Sequence, residues 1–93
     1  LHLFGKPIKT KMPIDLLIRH KNDFWLVECK FYQSGIKKFT LNEMDRLMAK
    51  AENVQYIYGD DVNVNIILLG CNPIHFPQRE SPFPVQSLLW HQE

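Results

Sequence analysis

The stretch that most constrains this chain is residues 13–32, PIDLLIRHKNDFWLVECKFY. Residues 14–19 are apolar and branched. Residues 24–31 are apolar, aromatic and β-branched. Between them His20-Lys21-Asn22-Asp23 is polar and carries turn-forming Asn and Asp, so the pattern predicts a β-hairpin. Asp15, Glu28 and Lys30 interrupt it. Strand interiors are depleted in Asp, Glu and Lys, so these three need a reason. A turn centred on Lys21 and Asn22 sets His20 against Asp23, Arg19 against Phe24 and, further out, Asp15 against Glu28. Opposed residues of an antiparallel pair share a face, with Cβ atoms about 5 Å apart. Glu28 and Lys30, two positions apart, share it too. Trp25, Val27, Cys29 and Phe31 then point the other way, into the expected core. A slip of one residue would move Asp15 to the opposite face.

Two opposed carboxylates repel, and one is destabilised unless a cation sits between them. Their hard oxygens suit Mg²⁺ or Mn²⁺, ions that keep several waters and use one or two protein carboxylates plus substrate phosphate. A nearby ammonium can hold a phosphate oxygen, orient the attacking water or help deprotonate it. The combination suits metal-assisted phosphodiester hydrolysis. The same letters leave a second reading open, a surface hairpin whose Glu–Lys pair faces solvent and contributes little. Against it stand Leu16, Leu17, Ile18, Leu26 and Val27, which make the strands read as buried on both faces.

Asp15, twelve intervening residues and then Glu28-Cys29-Lys30 resembles the signature of the PD-(D/E)xK nuclease superfamily, the restriction-endonuclease-like fold. The proline stands two positions before Asp15, not next to it. The resemblance implies an endonuclease, a hydrolase acting on nucleic acid, with DNA the expected substrate. It implies that Asp15 and Glu28 bind Mg²⁺ or Mn²⁺, that the backbone carbonyl of Cys29 is a further ligand, and that Lys30 is the catalytic lysine. It also suggests Gln33 as a polar residue reaching the active site, although a continued strand would put Gln33 on the face opposite Glu28 and Lys30. More narrowly, residues 12–72 look like the domain fused C-terminally to some prokaryotic AAA-type ATPases. Two functions follow: a metal-dependent nuclease, or a catalytically inactive module on the same scaffold that binds nucleic acid or protein within a larger polypeptide. The chain has no phosphate-cradling P-loop, so it is not itself the ATPase.

Lys37 and Lys38, just before a predicted helix, are candidates for substrate phosphates; exposed loop lysines are the alternative. Thr40-Leu41-Asn42-Glu43 reads as a capping box. Leu41, Met44, Leu47, Met48 and Ala51 continue as an apolar stripe, with Asn53 the expected end. Arg46 and Lys50 fall on the expected outer face, as a phosphate-binding pair or as solvated charges paired with Asp45 or Glu43. Residues 54–58 read as a short strand or a helix extension. Residues 62–70, VNVNIILLG, are a strand with a buried end. The order β-β-α-β predicts an α/β fold, a mixed sheet with the helix packed on one face. Residues 71–84 contain four prolines and read as a loop. Residues 85–90 read as a short amphipathic turn of helix.

Ninety-three residues fit one small domain, 1–93. A net charge of +1 lacks the strong basicity of an obligate nucleic-acid binder. The two cysteines have no zinc-type spacing, and the composition reads as a protein of the reducing cytoplasm. No apolar run suggests a membrane span. The superfamily fold usually opens with a helix that often contributes an acidic residue. Here twelve residues precede Pro13, none of them Asp or Glu, and the first residue is Leu1. The expectation is a fragment of a longer chain lacking that helix, with a homodimer also open.

Overall fold

The computed structural model describes residues 6–8, 14–30, 37–38, 40–70, 74–75 and 82–89, with the backbone alone for Lys6, Lys37 and Lys38. The chain runs β1 (Lys6–Pro7), β2 (Leu16–His20), β3 (Asp23–Cys29), β4 (Lys37–Lys38), α1 (Leu41–Tyr58), β5 (Asn63–Gly70), β6 (Ile74–His75) and β7 (Val85–Leu89). The expected hairpin forms in the expected register. His20 faces Asp23, Arg19 faces Phe24, and the ladder continues to Leu16 opposite Val27. Lys21 makes the turn with φ 55°, a left-handed conformation that most side chains avoid. Five strands form a mixed sheet in the order β1-β2-β3-β5-β7. β1 and β2 are antiparallel to their neighbours, whereas β3, β5 and β7 run parallel. A parallel pair needs a crossover, and α1 lies in the one from β3 to β5. β4 and β6 form a separate parallel pair.

The capping box starts α1 as predicted. Glu43 N–H donates to Thr40 Oγ1 at 3.1 Å, and Thr40 N–H donates to Glu43 Oε1 at 3.3 Å. The helix continues beyond Asn53 to Tyr58 and stops at Gly59, whose φ is 102°. Residues 54–58 therefore extend the helix. Val54 is fully buried and adds another step to the stripe Met44, Leu47, Ala51, so packing outweighs the strand preference of VQYIY. Leu41, expected on the stripe, is 56% exposed.

Residues 85–89 correct a second expectation, since they are a strand. β7 pairs in parallel with the outer edge of β5, from Ile66 opposite Val85 to Gly70 opposite Leu89. Six residues make too short a helix to hold alone, and β5 presents backbone groups that need partners.

α1 covers one sheet face. Leu17, Phe24, Leu26, Val64, Ile66 and Leu68 pack there with Met44, Leu47, Ala51 and Val54 in the main core. Ile18, Val27, Ile67 and Leu69 form a smaller cluster on the other face, with Trp25 and Cys29 against it. Both faces of β3 and β5 are therefore buried, as expected for parallel strands. The main core lies on the face of Phe24 and Leu26, not on that of Trp25, Val27 and Cys29, where the sequence reading put it. With apolar residues at both parities, the strand alone does not encode which face the helix takes.

Candidate functional site

Glu28 is the next residue along the β3 stripe of Phe24 and Leu26, both fully buried. Its side chain is only 13% exposed, and Lys50 Nζ of α1 lies 3.6 Å from Glu28 Oε2. That is an electrostatic contact, too long for a good hydrogen bond. Oε2 is buried and has no hydrogen-bond partner among the described residues. Burial raises the Glu28 carboxyl above its ordinary range. Lys50 opposes the rise, Asp15 adds to it and Lys30 opposes it. The position explains the state: the apolar stripe ends here, so the carboxylate is desolvated by the core edge, and Lys50 and Lys30 offset that only in part.

Asp15 lies in a bend just before β2. Cys29 N–H donates to Asp15 Oδ2 at 2.8 Å. β2 has ended by then, so the carboxylate takes the place of a strand carbonyl and closes the ladder. The paired register ends at Leu16 opposite Val27; one step beyond it Asp15 falls beside Glu28, and its charge helps raise the Glu28 carboxyl. The Cys29 thiol is free and is raised by burial, then by Asp15 and Glu28. A thiol held protonated is a poor nucleophile, and the contact Cys29 makes with Asp15 is through its backbone amide.

Lys30 N–H donates to Leu69 O at 2.7 Å, which holds the residue beside the end of β5. Its Nζ lies 3.9 Å from Glu43 Oε2, both side chains 29% exposed. Glu43 therefore caps the helix with one oxygen and pairs with Lys30 through the other. Glu28, Lys30, Glu43, Arg46, Leu47 and Lys50 line a cleft of about 110 Å³. Three cations there face two carboxylates, a surplus that suits an anion. The cleft opens at the C-terminal ends of parallel strands, where open α/β sheets take their ligands.

Glu28 and Lys30 thus meet in one cleft, whereas Asp15, expected to join them, is not among its lining residues and instead accepts from the Cys29 amide. Lys37 and Lys38 lie in β4, with side chains outside the description, and Gln33 lies outside the described residues. The sequence reading saw Glu43 only as a helix cap, and it set Arg46 and Lys50 on the outer face, as a phosphate-binding pair or as solvated charges, not beside Glu28 and Lys30. The signal was present: Glu43, Arg46, Leu47 and Lys50 follow i, i+3, i+4, i+7 and share one helix face. Among the described residues no three His, Cys, Asp or Glu side chains gather as a metal cluster, and none of their helices is long and apolar enough to cross a membrane. Comparison of the chain with protein-family models, with curated proteins and with solved structures returned no match.

Proposed function

We propose that this chain is a divalent-metal-dependent nuclease domain that hydrolyses phosphodiester bonds, with DNA the first substrate to test. The observation that carries the reading is Glu28 Oε2, a buried carboxylate oxygen without a hydrogen bond in a cleft rich in cations. Leaving such a group without a hydrogen bond costs about 1–3 kcal/mol, and a catalytic role or a bound ion is among the explanations for one in a native fold. The donors fit a hard ion. Glu28 and Asp15 would hold Mg²⁺ or Mn²⁺, with the Cys29 carbonyl as the further ligand that the superfamily resemblance implies. Two carboxylates suffice for an ion that keeps several waters. When bound, the ion supplies Lewis-acid polarisation of the phosphate and a more acidic water.

The chain's own residues supply the rest. Lys30 presents an ammonium to the cleft and stabilises the negative charge that develops on the phosphate. Glu43 acts through Lys30 as a positioning residue, because its 3.9 Å pair limits where the ammonium can go. Arg46 adds a planar donor for a phosphate oxygen.

The test is a cleavage assay with plasmid DNA and RNA side by side, in Mg²⁺, Mn²⁺ and chelator. Metal-dependent cleavage that disappears in Lys30→Ala and Asp15→Asn supports the proposal. Robust cleavage by Lys30→Ala overturns it. A second reading, a nuclease-like module that binds without cutting, draws on one observation: Lys30 and Asp15 already have partners in Glu43 and the Cys29 amide. Mn²⁺ binding without cleavage of either nucleic acid would select it.

A further inference from the structure

The Glu28–Lys50 contact is a poor structural ion pair. Desolvated pairs hold when their geometry is good and further hydrogen bonds satisfy the remaining lone pairs. Here the separation is 3.6 Å, the side chains are only 13% and 22% exposed, and Glu28 Oε2 accepts no hydrogen bond from the described residues. What the contact does accomplish is neutralisation. The Lys50 ammonium is a compact charge on a flexible stem, and its near neighbour on the helix face is another cation, Arg46. Lys50 is therefore held at Glu28 chiefly by charge, with at most a weak hydrogen bond at 3.6 Å, and can reach the cleft mouth by rotating its stem.

Resting on the metal reading above, we infer that Lys50 is a tethered counter-ion that competes with the divalent metal for Glu28. While the metal is absent, Lys50 neutralises the carboxylate. When the metal enters, the ammonium leaves Glu28 and joins Arg46 and Lys30 as a ligand for a substrate phosphate. Metal and phosphodiester then favour each other's binding, because each stabilises the arrangement in which Lys50 has left the carboxylate.

The experiment is Mn²⁺ titration, followed by electron paramagnetic resonance and calorimetry, of the wild-type chain, Lys50→Met, Lys50→Gln and Arg46→Gln. Circular dichroism checks that each is folded, and Lys50→Gln serves where Lys50→Met fails to fold. The expected result is Mn²⁺ affinity tightened about tenfold in the Lys50 variants, the scale of ordinary coupling between sites, and changed much less in Arg46→Gln. Binding detectable only in the Lys50 variants gives the same support. If the wild type binds Mn²⁺ and loss of Lys50 leaves the affinity unchanged or weaker, the counter-ion role is overturned while the metal reading stands. Equal tightening in Arg46→Gln also overturns it, since any lost cation would then suffice. Failure of every protein to bind Mn²⁺ removes the metal reading and this inference together.

Discussion

The two ends of the parallel strands β3 and β5 carry cavities of opposite character. At the N-terminal end a cavity of about 440 Å³ is lined by residues that include Asp23, Gln55, Asn63 and Asn65. At the C-terminal end the cleft of Glu28 and Lys30 measures about 110 Å³. The larger space is polar, but its groups are answered. Asn63 Nδ2 donates to Asp23 Oδ1 at 3.0 Å, Asn65 Nδ2 to Phe24 O at 3.2 Å and Gln55 Nε2 to Val62 O at 3.2 Å. These bonds tie β3, β5 and α1 together. The smaller space holds three cations and a desolvated carboxylate whose Oε2 has Lys50 at 3.6 Å but no hydrogen bond among the described residues. Unspent polar capacity, not volume, separates a site from a gap in the packing.

The largest effect that would break this contrast is on cleavage. Lys30→Ala should lower the metal-dependent rate by about 10²- to 10³-fold, the cost of losing one donor that stabilises transition-state charge. Asn65→Ala, at the other end of the same strands, should leave the rate within about twofold, since it touches no charge that changes in the reaction. Rates on supercoiled plasmid under identical Mg²⁺ check both. Equal losses in the two variants would mean that the ends are not functionally distinct.

Next in size is the stability held back by Glu28. Its pKa is raised, chiefly by burial, so between the ordinary carboxyl value and the raised one the folded chain binds the proton more tightly than the unfolded chain. Stability is therefore lost as pH rises through that window. Above it the ionised carboxylate is a burden that Glu28→Gln removes. In chelator, at a pH above that window, Glu28→Gln should melt higher by about 1 kcal/mol, or about 4–8 °C for a domain of this size. The gap should close as pH falls through the window. Saturating Mg²⁺ should raise the wild-type melting temperature and leave the variant unmoved. Thermal melts across pH, with and without Mg²⁺, read all three.

Asp15 sharpens the contrast in a different way, because it has a structural and a proposed chemical duty. Asp15→Ala removes the acceptor for the Cys29 amide and should cost about 1 kcal/mol by denaturant titration. Asp15→Asn keeps an acceptor and should cost less. Both should lose cleavage equally if the carboxylate holds the metal. Activity that instead follows stability, with Asn near wild type, would leave Asp15 only its ladder-closing role.

How far the sequence discloses such a site depends on how local the determinants are. The hairpin register was legible because turn chemistry and period-two alternation are local, and both point to the same pairing. The helix start was legible because Thr40 and Glu43 are three residues apart. β7 was not, since Val85–Leu89 takes its conformation from pairing with β5, and nothing in those five residues reports a distant edge. The face of the site was lost for a related reason. Apolar residues at both parities of β3 leave the side covered by α1 to tertiary packing, and with it the partners of Glu28 and Lys30. Glu43, Arg46 and Lys50 looked like surface charge because they border the apolar stripe. Only docking on β3 turns that border into a wall of the cleft.

The smallest expected effect bears most directly on the polar end that is satisfied. Asn65 faces Trp25 in the β3–β5 register, and its amide bonds to the carbonyl of Phe24, one residue along. Side-chain to backbone bonds of this partly buried kind contribute about 0.5–1.5 kcal/mol net, and Asn65→Ala leaves a carbonyl that water in the adjoining cavity can reach. The expected loss therefore lies near the lower end, about 0.5 kcal/mol, seen as a shift of the urea midpoint without a change in slope. A much larger loss would mean that the Phe24 carbonyl is sealed from water and that this cavity is drier than its lining suggests. A change in Mn²⁺ affinity would mean that strain passes along β3 from Phe24 to Glu28, four residues away. The two ends would then be one coupled unit, and the division between packing space and chemical site would fail.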